Sequence, residues 1–126
     1  MASWLEAEVR MIRFALVLAA GTLSFGVVHA AALLSEAQAR AGAVKILQGD
    51  PYGATPEAVA ATIKQVNYLK DGNTRACGAR KRPVWEFHVV VVTPNKDQFS
   101  NGVIDGFLAL DARSGRIVCA NLPMLE

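Results

Sequence analysis

From Phe14 to Val28 the chain runs FALVLAAGTLSFGVV without a charge, and Arg10 and Arg13 stand just before it. The following tripeptide, Val28-His29-Ala30, sets small side chains where a signal peptidase requires them. A basic start, an apolar middle and a small-residue exit are the parts of a secretory signal, with cleavage expected after Ala30. Glu6 and Glu8 dilute the basic start, and translation from Met11 would give the cleaner leader MIRFALVLAAG. The competing reading is an uncleaved membrane anchor. No Lys, Arg, Asp or Glu occurs from Phe14 to Leu34, and ~20 apolar residues span a bilayer. Gly21, Thr22, Ser24, Gly26 and His29 interrupt the run and favour cleavage.

Removing residues 1–30 from the 126 leaves 96 to fold, which is one small domain. The leader's two arginines and two glutamates cancel, so the net charge stays at +2. That is too mild to imply nucleic acid or a membrane surface as the partner of the mature chain. A chain this short buries a modest fraction of its surface and gains from extra fastening. Cys77 and Cys119 are its only thiols, and export brings them into an oxidising compartment. A bridge between them is therefore expected. Zinc ligation and C-x-x-C redox chemistry both lack the required spacings.

Ser35 opens the first mature element with a Ser-x-x-Gln capping box, and residues 36–48 read as an Ala-rich helix stopped at Gly49. GDPYGA is a turn-rich connector. Thr55 and Pro56 begin a second helix, whose stripe Val59, Ile63 and Val66, flanked by Leu69, extends it to Gly72. GNTRACGARKRP, with Arg75, Arg80, Lys81 and Arg82, reads as a solvated basic loop or as a patch for an acidic partner. VWEFHVVVVT is a strand: Trp85, Phe87, Val89 and Val91 share one face, and Glu86, His88, Val90 and Val92 the other. The second face starts polar and ends apolar, so that end needs cover from the first helix, the tail or another molecule. PNKDQFSNG is a loop, VIDGFLALD a strand, DARSG a turn and RIVCAN the returning strand of a hairpin.

The expected architecture is α+β, with two helices on an antiparallel sheet of three or four strands. Residues 31–54 supply a helix and connector, and residues 55–126 the rest of the domain. The order of helix, aromatic strand, strand and LDARSGRIV hairpin resembles the PepSY family over about Thr55 to Ala120. Leu110-Asp111-Ala112-Arg113-Ser114-Gly115-Arg116-Ile117-Val118 is similar to that family's hairpin, and Trp85-Glu86-Phe87-His88-Val89 to its aromatic-led strand. The family has a further strand before the aromatic one, where this chain holds GNTRACGARKRP. Either the strand is lost or the sheet edge differs. The resemblance implies a non-catalytic module that binds or restrains another protein, often a peptidase.

His88 is the mature chain's only histidine, and no nucleophile elbow, HExxH or phosphate-binding glycine loop accompanies it. Asp97, Asp105 and Asp111 stand at loop and strand ends and suit turns better than acid–base work. The sequence points away from an enzyme and from any cofactor. It leaves an exported, periplasmic or secreted binding module for an unidentified protein, or a self-associating structural protein. Candidate contact residues are Arg75, Arg80, Lys81, Arg82, His88, Val90 and Val92.

Overall fold

The structure, a computed structural model, describes residues 32–125 apart from 95 and 98. The expected leader and its exit at Ala30 lie outside the described residues. Helix α1, Glu36–Leu47, begins with the expected capping box: Gln38 N–H donates to Ser35 Oγ, and Ser35 N–H to Gln38 Oε1. Ala39, Ala43 and Leu47 form its buried stripe. Helix α2 is short, Pro56–Thr62, with Ala58 N–H donating to the Thr55 hydroxyl.

The second helix does not continue to Leu69. Residues Ile63–Leu69 form strand β1, paired antiparallel with Val84–Val92, which is β4. Ile63 lies opposite Val89 and Gln65 opposite His88, so Lys64 is an extra residue in the ladder. That bulge puts Ile63 and Val66 on one face three residues apart, the spacing of a helix stripe rather than of a regular strand. Gly72 ends no helix. It follows β1 with φ +74°, in a turn where a Cβ would overlap the Arg82 carbonyl oxygen. The strand missing from the basic segment is thus supplied by Ile63–Leu69.

The basic segment itself makes a miniature hairpin, β2 (Asn73–Thr74) against β3 (Gly78–Ala79). Strand β5, Val103–Asp111, pairs with β4 along its whole length, and β6, Ile117–Ala120, closes the far side. The main sheet has the order β1-β4-β5-β6, all antiparallel. Asp111 turns the last hairpin as expected: its Oδ1 accepts from Arg113 N–H and Ser114 N–H, and Gly115 takes φ +77°.

Two helices cover one face of this sheet. Phe87, Val89 and Val91 from β4 and Ile104, Leu108 and Leu110 from β5 meet Ala39, Ala43 and Leu47 of α1 and Val59 of α2. Each fully buried Phe or Leu here contributes about 1.5–3 kcal/mol. The tail seals the same face. Leu122 is fully buried, Asn121 brackets Phe107 through N–H and side-chain bonds, and the Tyr52 hydroxyl donates to Pro123 O at 2.6 Å. Gly106 is required beneath it, since a Cβ there would stand 2.7 Å from the Asn121 carbonyl oxygen. At the domain's start, Leu34 N–H donates to Ala112 O, and Trp85 Nε1 donates to Leu34 O. Residues Leu33–Glu126 form one unit, so α1 shares its core with the sheet.

Candidate functional site

With α1, α2 and the tail all on one face, the outer face of the sheet is free of helices. It carries Val84, Glu86, His88, Val90 and Val92 from β4, opposite Asp111, Ala109, Phe107, Asp105 and Val103 of β5. The two ends of this face differ in cover.

At one end the β2–β3 hairpin lies over the sheet, tied down by the Cys77–Cys119 disulfide, whose Cα atoms are 6.4 Å apart. That separation falls in the ordinary range for a bridge. Thr74 shapes the hairpin's turn: its hydroxyl donates to Gly78 O and accepts from Cys77 N–H. Beneath it Glu86 is 2% exposed, and its Oε2 accepts from Arg75 N–H at 2.6 Å and Ala76 N–H at 3.3 Å. The polar beginning of the face is therefore the covered part. A buried carboxylate is tolerated here because the hairpin's turn aims backbone donors at it.

The other end is open. Val92 is 80% exposed, Val103 40%, and Val90 half-buried. Among the described residues, neither α1 nor the tail covers Val92. Midway, the His88 ring stacks on Phe107 with centroids 4.7 Å apart, and His88 Nε2 lies 2.7 Å from Asp105 Oδ1. The Arg75 guanidinium stands 5.6 Å from the Phe107 centroid, within cation–π range. Phe107 is the residue sequence reading passed over. The alternation Val103, Asp105, Phe107, Ala109 marks it as sharing His88's face.

The candidate contact residues thus divide. His88, Val90 and Val92 share the face, and Arg75 reaches its middle through Phe107. Arg80, Lys81 and Arg82 are elsewhere. They lead into Val84, at the opposite end of a strand that rises roughly 3.3 Å per residue. With Ala79, Ile117 and Val118 they line a polar cleft of about 320 Å³ beside β6. Arg82 Nη1 approaches Asp111 Oδ2 at 3.6 Å. Ser114 N–H holds the Asp111 carboxyl below the ordinary carboxylate range against an opposing effect of burial; Arg113 N–H, the Ser114 side chain and Arg82 add to the lowering.

A second concavity, about 840 Å³ and mainly apolar, runs between α1 and α2 over Ala37, Ala41, Val44 and Ala60. Among the described residues, no three His, Cys, Asp or Glu side chains gather as a metal site, and no helix is long and apolar enough to cross a membrane. Comparison with protein-family profiles, curated proteins and solved structures found no match for the chain.

Proposed function

We propose that the protein is an exported, non-catalytic binding module, PepSY-like in kind, that engages and restrains another envelope or secreted protein. A peptidase is the class of partner that the resemblance suggests. The docking surface is the open end of the sheet's outer face, centred on Val92 with Val90, Val103 and the His88–Phe107 pair. The observation that carries this is the exposure of Val92 and Val103 side by side on a face whose other end is capped by a disulfide-tied hairpin. Adjacent exposed valines cost solubility, and such a patch is commonly kept for a partner. Export is supported by the leader-like run and by the bridging of both cysteines. An uncleaved leader would hold the same module at a membrane surface.

Capture from the native envelope tests this reading. The oxidised protein is expected to retain a defined partner that Val92→Asp loses, and equal capture by both forms would remove this surface from the account. The same exposed valines favour a second reading, a structural protein that buries them by self-association. Light scattering separates the two: concentration-dependent dimers abolished by Val92→Asp indicate self-association, and a strict monomer excludes it.

A further inference from the structure

Strand β6 is the last strand of the sheet, and among the described residues no backbone hydrogen bond reaches its outer edge. Next to it stands the cleft lined by Arg80, Lys81, Arg82, Ile117 and Val118. We propose that this cleft binds an extended acidic segment of a partner protein, which adds to the sheet as a strand along β6. This second surface lies at the opposite end of β4 from Val92, goes beyond the docking surface proposed there, and rests on the reading of the protein as a binding module.

Three observations converge on that occupant. The first is the edge itself: Ile117, Cys119 and Ala120 pair with β5 on one side, and the backbone groups of β6 that face away from β5 have no backbone partner among the described residues, the half-ladder on which an incoming strand forms. Ile117 beside it is 45% exposed, so an apolar side chain of the incoming strand has a surface to cover. The second is charge. Arg80 and Lys81 form no ion pair among the described residues, and Arg82 has only the 3.6 Å contact to Asp111. Arg116 adjoins the start of β6 and adds a fourth cation. Three consecutive cations repel one another, and carboxylates arriving on alternate residues of a strand relieve that repulsion.

The third observation is rigidity. The disulfide joins the hairpin to β6 at Cys119, next to Val118 in the cleft lining. Arg80 N–H donates to Gly72 O, and Arg80 Nε to Cys77 Sγ at 3.1 Å. Lys81 sits at φ 55°, a conformation that non-glycine residues seldom adopt. The backbone that carries these cations is thus tied to the hairpin and to β6 before any ligand arrives, which lowers the ordering cost of binding.

A fluorescein-labelled peptide of alternating Glu and Val, blocked at both ends, is the probe, titrated by anisotropy against the purified, oxidised protein at low ionic strength. Saturable binding is expected, weakened about tenfold in the Arg80→Ala/Lys81→Ala double variant and absent for the same peptide with Lys in place of Glu. N-methylation of alternate peptide amides, which removes ladder donors and keeps the charge, is expected to weaken binding to a similar degree. Amide shifts should centre on Ile117–Ala120. Failure of the Glu peptide to bind, equal binding of the N-methylated peptide, or indifference to the double variant would each overturn the proposal. The N-methylated arm needs no protein variant, so a folding defect cannot mask the answer. No native partner enters this assay, so a negative result strikes the cleft alone and leaves the Val92 test to decide the broader reading.

Discussion

The two ends of the sheet's outer face are built from the same two strands, yet one is closed and the other open. At the closed end a carboxylate, Glu86, is buried beneath a hairpin; at the open end a valine, Val92, is left in water. Hydropathy alone predicts the reverse. What decides the matter is a covalent tie between residues 42 positions apart, which brings backbone donors over Glu86. Cover on a sheet follows from what the chain can fasten there, and a side chain's own polarity comes second.

Breaking the fastening should produce the largest effect. Cys77→Ser with Cys119→Ser opens a loop of 42 residues and is expected to cost ~4 kcal/mol on the chain-entropy account, read as a lower denaturation midpoint. Glu86→Ala comes next. It leaves the Arg75 and Ala76 amides without their acceptor under the hairpin, at about 2–3 kcal/mol. Glu86→Gln retains a carbonyl acceptor and should cost clearly less. If both substitutions were silent, the carboxylate would have no part in holding the cap.

Asp111 sharpens the comparison at the turn beyond the closed end. Its folded-state carboxyl is held below its unfolded value, so its stabilisation is complete above the unfolded value near 4 and is lost as pH falls through the folded one. Asp111→Ala is expected to cost about 1 kcal/mol at neutral pH and to make acid unfolding below roughly pH 4 shallower. The smallest stability effect belongs to the open end. Val92→Asp should change stability by no more than about 0.5 kcal/mol while abolishing partner capture, a separation of effects that a merely structural valine would not give.

Local signals in the sequence were legible where neighbours determine the outcome. Ser35 with Gln38, Thr55 with Pro56, and Asp111 with Gly115 each act within a few residues, and all took their expected geometry. The strand Val84–Val92 was legible from its β-branched run, and its inward set Phe87, Val89 and Val91 from alternation. Ile63–Leu69 was misread because the bulge at Lys64 shifts the alternation by one and gives Ile63 and Val66 a helical spacing. The β2–β3 hairpin has ladders of two residues each, too short to carry a periodic pattern. Burial of Glu86 depends on that hairpin and on the bridge, so no inspection of Val84–Val92 alone could find it. The basic residues were legible as a group, but only the turn at Gly72 and the edge at β6 separate Arg80, Lys81 and Arg82 from His88, Val90 and Val92.

Amide hydrogen exchange, compared between oxidised and reduced protein, tests the disulfide-held cap most directly. The Arg75 and Ala76 amides are expected to be protected when Cys77 and Cys119 are joined and to exchange freely once they are reduced, with β5 amides near Val103 little changed. Equal protection of Arg75 and Ala76 in both forms would contradict it.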